Sequence, residues 1–238
     1  MKDKYLQFVE DKENDVTELF IYGDIRKGSI LERLLGCEDS TRTGAHDFAE
    51  KLHTVATSQI RVRINSNGGS VSEGLAIYNL LKTCGKKIIT RCDGYAASAA
   101  SVIYCAGEER IQPKTALLMI HNAWAHGGEG NANYFRKLAD DLEKISQPSI
   151  EAYKEVTNLP EKEIKTLMNN ETWITADEAL EWGFTTKIDS KEDDASQSIG
   201  KDYMYKLVMA NKELEKRIIE LEKRKPKLTG WDAFFNKK

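Results

Sequence analysis

The stretch Ile60-Arg61-Val62-Arg63-Ile64-Asn65-Ser66-Asn67-Gly68-Gly69-Ser70-Val71-Ser72-Glu73 sets the architecture. Apolar and charged residues alternate from Ile60 to Ile64, the period of a strand with one buried face. The strand runs into a double glycine. Ser70 and Glu73 then have the form of a capping box, and Leu75, Ile77, Tyr78, Leu80 and Leu81 supply the apolar positions of a helix stopped by Cys84-Gly85. Outward from this unit the same alternation recurs. Thr17–Tyr22 reads as a strand, Gly23–Gly44 as a polar loop with a short helical turn, and Ala45–Val55 as a helix. On the other side Lys87–Cys92 reads as a strand, followed by an Ala-rich buried helix around Ser98 and short strands near Arg110-Ile111 and Ala116–Ile120. Strands and helices alternating at such spacing predict an α/β domain with largely parallel strands.

Beyond residue 130 the pattern is mostly helical. Asn131–Asn158 reads as one long helix that Pro148 should kink or break near Gln147. Pro160 suits the first turn of the next helix. Thr175 and Glu178 form a second capping box with Gly183 as the stop, and Phe184–Ile188 closes the domain as a strand. The expected layout is an N-terminal segment 1–16, a domain 17–189, an acidic linker 190–200 and a basic amphipathic helical tail 201–238. In the tail Met204, Asn211 and Ile218 alternate with Leu207, Leu214 and Leu221, the heptad spacing of a coiled coil. A single amphipathic helix lying on its own domain fits the same pattern. The tail ends in the aromatic tip Trp231–Phe235.

Composition narrows the function classes. The net charge of −3 makes nucleic acid an unexpected main partner. That charge is uneven: residues 201–238 hold 11 Lys/Arg against 6 Asp/Glu, a net of +5, which leaves −8 on residues 1–200. The longest uncharged run, Gly94–Gly107, is too short to span a membrane. Cys37, Cys84, Cys92 and Cys105 form no C-x-x-C pair, so neither zinc nor another metal is expected, and no cofactor is called for. Free thiols and a charged N-terminus point to the cytoplasm.

The candidate chemistry lies in Gly94-Tyr95-Ala96-Ala97-Ser98-Ala99-Ala100-Ser101. A serine becomes a nucleophile when a base takes its proton, and His121, in Leu118-Met119-Ile120-His121-Asn122, is the candidate base. At a helix start, unpaired backbone N–H groups stabilise negative charge. The N–H groups of Gly69 and Ala99 are candidates for an oxyanion hole, with Gly68 shaping the turn. Small neighbours leave room for a substrate backbone to approach.

Ile64–Gly69, Gly94–Ser98 and Met119–His121 closely resemble the ClpP family of serine peptidases. Glu171-Thr172-Trp173-Ile174-Thr175-Ala176-Asp177-Glu178-Ala179 resembles the region of that family's third catalytic residue. The resemblance runs from about Leu19 to Asp189. It implies a ClpP/crotonase-type α/β fold of repeated ββα units, with a projecting helical handle at about 131–167. It implies Ser98 as nucleophile, His121 as base, Gly68, Gly69 and Ala99 at the oxyanion hole, and subunits packed as a heptameric ring that stacks into a tetradecamer. Trp124, Glu171-Thr172-Trp173 and the charged tail resemble most the phage and prophage branch. That branch implies cleavage of capsid or scaffold proteins during head maturation in a bacterial host cell, without ATP or assisted by a partner.

Three positions depart from the family pattern. Glu171 stands where an Asp is usual, with Asp177 a weaker rival for the orienting role and Asn169 and Asn170 as uncharged neighbours. Asn67 stands where a Pro is usual, and Pro148 interrupts the handle. Single and double rings both stay open, as do three other readings: a housekeeping-type subunit working with an AAA+ unfoldase, a non-catalytic ring scaffold, and a crotonase-type acyl-CoA hydratase.

Overall fold

A computed structural model describes residues 6–28 and 42–189. The chain divides into a unit of residues 2–190 and a second of residues 191–238 with Met1. The expected linker, the tail with its heptads, and the helical turn between Gly23 and Gly44 lie outside the described residues.

The decisive stretch forms strand β4 (Gln59–Gly69) and helix α2 (Val71–Thr83), as the alternation predicts. Ile60, Val62 and Ile64 are fully buried, and Arg61 and Arg63 face the other side of the sheet. The capping box at Ser70 does not form. The Ser70 hydroxyl meets the Ser72 hydroxyl at 2.9 Å. The Glu73 carboxylate instead accepts from the backbone N–H of Ala45 at 2.7 Å. It therefore caps α1 (Ala45–Leu52), whose own N-cap, Gly44, has no side chain to do so. A sequence spacing shows that a carboxylate can reach back. Only the fold shows that a second helix start is nearer.

Around β4 the sheet runs in the order β1-β2-β4-β5-β6-β9, where β1 is Leu6–Asp11, β2 Val16–Ile25, β5 Lys87–Ala97, β6 Glu109–Pro113 and β9 Lys187–Asp189. β3 (Arg42–Thr43) pairs with β2, and β7 (Leu117–Ile120) joins β5 to β8 (Thr172–Ile174). Among the described residues all pairings are parallel except β1 with β2 and β7 with β8. The parallel sheet expected of this alternation is thus present. β1 was not expected: the 1–16 segment contains a strand, joined to β2 by a turn in which Asp11 accepts from the N–H groups of Glu13 and Asn14 at 3.1 Å.

β5 is longer than its apolar run suggests. Its first half pairs with β6 and its second half, Tyr95–Ala97, with β7. Helix α3 (Ala99–Tyr104) follows and is buried along its whole length. The core gathers Ile60, Val62, Ile64, Ile77, Ile103 and Leu118 between the sheet and these helices.

Helix α4 (Ala132–Val156) starts at Asn131, whose side chain accepts from the Tyr134 N–H at 3.0 Å. The helix continues through Pro148, so of the expected kink or break the break does not occur. Proline removes one donor, and here it sits where the helix passes from an exposed first half to a buried second half. Burial of Ile150, Ala152 and Tyr153 outweighs one missing bond. α5 (Glu161–Asn169) begins one residue after Pro160. α6 (Ala176–Trp182) forms the predicted capping box between Thr175 and Glu178 and ends at Gly183 with φ 89°. Cys84, Cys92 and Cys105 are free thiols. Among the described residues no helix is long and apolar enough to cross a membrane.

Candidate active site

Three neighbouring parallel strands end side by side: β4 at Gly69, β5 at Ala97 and β7 at Ile120. Ser66 pairs with Ala96, and Ala97 with Met119. Gly68, Ser98 and His121 therefore meet at the carboxyl ends of the strands. This is where open α/β sheets place ligands, because the chain turns away there and leaves a crevice.

Ser98 lies between β5 and α3 with φ 55° and ψ −126°. A non-glycine residue rarely adopts this conformation, which costs about 1–3 kcal/mol unless its surroundings impose it. Here they do. The Ser98 N–H donates to the Met119 carbonyl at 2.9 Å, and its own carbonyl accepts from the Ser101 N–H at 3.0 Å. The result is a side chain held out from a sharp strand-to-helix turn. His121 Nε2 stands 2.7 Å from Ser98 Oγ, within reach for proton transfer.

The double glycine packs against this turn. Gly68 has φ 95°, and a Cβ there would lie 2.6 Å from both the Ala97 carbonyl oxygen and the Ser98 Cβ. Its N–H is held by the Ser66 hydroxyl at 3.0 Å, and that hydroxyl donates to the Gly23 carbonyl at 2.5 Å. Gly69 has φ 145°, and a Cβ there would lie 2.2 Å from the Ile25 carbonyl oxygen. Ala99 is the first residue of α3, so its N–H has no acceptor within the helix. A cavity of about 30 Å³ beside Ser98 is lined by Val71, Val102, His121, Trp124 and Tyr153.

Glu171 occupies the register position opposite His121, because Ile120 pairs with Thr172 across the antiparallel β7–β8 ladder. It is exposed, with φ 46°, and makes no hydrogen bond to His121 among the described residues. Next to the ladder, Asn122 Nδ2 donates to Asn169 Oδ1 at 2.7 Å. Asp177 lies 3.6 Å from the Lys114 ammonium and makes no hydrogen bond to His121 among the described residues.

Sequence reasoning passed over Ser101 and Tyr153. Both are buried at the site: the Ser101 hydroxyl donates to the Ser98 carbonyl at 2.6 Å and lies 2.8 Å from the Tyr153 hydroxyl. No spacing rule connects Tyr153, in the last turn of α4, with a turn fifty-odd residues earlier.

Residues 32–192 match the Clp protease family. The chain belongs to the Clp protease family. Among curated proteins it is 35% identical over 127 residues to ATP-dependent Clp protease proteolytic subunit 3 of Rhodococcus jostii, covering 52% of this chain and 62% of that protein. It is 33% identical over 132 residues to proteolytic subunit 2 of Thermobifida fusca, covering 54% and 64%. The matched region thus spans less than two thirds of either relative. A mutant of ClpP1 from Listeria monocytogenes superimposes with a TM-score of 0.59 at 22% identity, covering 76% of this chain and 94% of that one. The fold is accordingly the ClpP type of α/β sheet flanked by helices.

Proposed function

We propose that this Clp-family chain is a serine-type endopeptidase. The observation that carries the reading is the 2.7 Å contact between Ser98 Oγ and His121 Nε2, with the serine held at a strained turn. In this reading His121 takes the Ser98 proton as Oγ attacks a substrate carbonyl. The oxyanion forms against the N–H groups of Ala99 and Gly69, with Gly68 keeping the turn narrow. His121 then passes the proton to the leaving amine, and water releases the acyl group by the reverse sequence. Glu171 orients the imidazole by a side-chain rotation from its place opposite His121. Every proton moves between side chains, substrate and water, so the chemistry needs no cofactor. A hydratase has no use for a serine activated by histidine, which argues against the acyl-CoA reading. A fluorophosphonate probe tests the proposal: it labels Ser98 in the assembled protein and fails to label Ser98→Ala or His121→Ala. An unlabelled wild-type protein would favour the non-catalytic scaffold.

For the biological role, Trp124, Glu171-Thr172-Trp173 and the basic tail support phage or prophage head maturation, with capsid or scaffold proteins as substrates. The names of the two curated relatives, both ATP-dependent, favour a second reading: a subunit working with an AAA+ unfoldase. Incubation with purified scaffold protein in the absence of nucleotide separates them. Cleavage under those conditions supports the first, and cleavage only with an added unfoldase and ATP supports the second. We also infer a homo-oligomeric ring, because the exposed half of α4 carries Tyr134, Phe135 and Ile145, apolar surface suited to a second copy.

A further inference from the structure

We propose that Tyr153 and Ser101 are positioning residues that hold the Ser98–Ala99 peptide group for catalysis through a buried hydrogen-bond relay running from α4 to the Ser98 carbonyl. The proposal rests on the reading of Ser98 as nucleophile and deepens it.

The direction of the relay follows from proton counting. The Ser98 carbonyl cannot donate, so the single proton of the Ser101 hydroxyl is committed to it at 2.6 Å. The 2.8 Å contact between Ser101 Oγ and the Tyr153 hydroxyl then has only one arrangement, with Tyr153 donating. Both residues are 1% exposed, so water does not compete for either bond. Burial also pushes the Tyr153 pKa upward, which keeps its proton in place.

The target of the relay gives it a function. The Ser98 carbonyl and the Ala99 N–H belong to one planar peptide unit. Pinning the carbonyl from below fixes the plane, and with it the direction of the N–H offered to an oxyanion. Two donors on the carbonyl, the Ser101 N–H at 3.0 Å and its hydroxyl, also polarise the peptide and strengthen that N–H as a donor. The same pair holds Ser98 at φ 55°, a conformation it would otherwise leave. Tyr153 belongs to α4, so the relay ties the long helix to the nucleophile's backbone.

Two readouts on the full-length chain test this. The first is the saturation kinetics of fluorophosphonate labelling. Tyr153→Phe and Ser101→Ala should each lower the maximal labelling rate by about fivefold or more, with the double variant no slower than Ser101→Ala, because the relay is serial. Tyr104→Phe is the matched control. It removes another buried tyrosine hydroxyl, one that donates to Thr185 at 2.9 Å, and should leave the rate unchanged. The second readout needs no activity. Ser98-Ala99 is the only Ser-Ala pair in the chain, so carbonyl-13C serine combined with 15N alanine yields a single carbonyl–amide cross-peak. That peak should shift upfield in carbon in Tyr153→Phe and stay in place in Tyr104→Phe. A labelling rate within about twofold of wild type in folded Tyr153→Phe and Ser101→Ala would overturn the proposal. If the wild-type protein is not labelled at all, the nucleophile reading falls, and an unmoved carbonyl peak in Tyr153→Phe overturns the relay separately.

Discussion

At Gly68 the room around Ser98 is set by a single hydrogen atom. A methyl group there meets the Ala97 carbonyl oxygen and Ser98 Cβ, and the backbone at φ 95° resists any L side chain. Gly68→Ala should therefore displace Ser98 and lower its labelling rate by about a hundredfold. Gly85→Ala makes the comparison: φ is 70° but nothing lies within 4 Å of the added carbon. It should cost about 1 kcal/mol in urea denaturation and leave labelling intact. Glu171 poses a different question, since register places it opposite His121 while its carboxylate lies in solvent. If that carboxylate swings in to fix the tautomer, Glu171→Gln lowers peptide turnover by about a hundredfold or more. Wild-type turnover in this variant would remove Glu171 from the mechanism.

At the scale of elements, the sheet face opposite the helices carries an ionic ladder across β2, β4 and β5. The Asp93 carboxylate accepts from Arg63 Nε and Nη2, both at 2.8 Å, from the Tyr22 hydroxyl at 2.7 Å and from Arg91 Nε at 3.0 Å. Arg91 also pairs with Asp189 on β9, tying the last described strand to the sheet. Asp93→Asn removes the shared negative charge and replaces one accepting oxygen with a donor that faces the arginines. With the Arg63 and Asp93 side chains 16% and 12% exposed, the loss should be about 2–4 kcal/mol in urea denaturation. Glu18 ends the ladder. It is 3% exposed and bonded to Arg61 Nη1 at 2.5 Å, and its second carboxylate oxygen has no partner among the described residues. Burial outweighs the attraction of Arg61 and raises its pKa above the ordinary carboxylate value. The sign follows from that direction. The fold favours the neutral acid, so the folded state loses stability as pH rises from the ordinary value through the raised one. Glu18→Gln should then stabilise the protein at pH 8 relative to wild type, with the gain shrinking towards pH 4. An equal gain at both pH values would contradict the assignment.

For the molecule as a whole, α4 has two characters. Its second half is buried against the sheet domain and reaches Ser101; its first half presents Tyr134, Phe135 and Ile145 at 44–47% exposure. Scattered apolar residues on a surface need no explanation, but three on one exposed helical segment suit contact with another copy. Phe135→Glu should lower the oligomeric mass measured by light scattering, and Ser98 labelling should fall with it if assembly orders the site. An unchanged mass would show that this half of α4 is not the packing surface.

Much of this protein was legible in the chain itself, because periodicity and glycine placement are local properties. Alternation marked β4, the stop at Gly85 ended α2, the Thr175–Glu178 box opened α6, and Gly68, Ser98 and His121, singled out from the chain, come together in space. What stayed hidden depends on partners distant in sequence. β1 has its register set by β2, Glu73 serves a helix start 28 residues earlier, and Pro148 is absorbed by burial of the turn that follows it. Tyr153 reaches Ser101 only because α4 packs on α3. The sequence by itself determined which residues are candidates for chemistry, since a hydroxyl, an imidazole and small neighbours are fixed by residue type. Only the tertiary structure decided how they are held, because a strained φ and a polarised carbonyl exist only where packing from remote segments compels them.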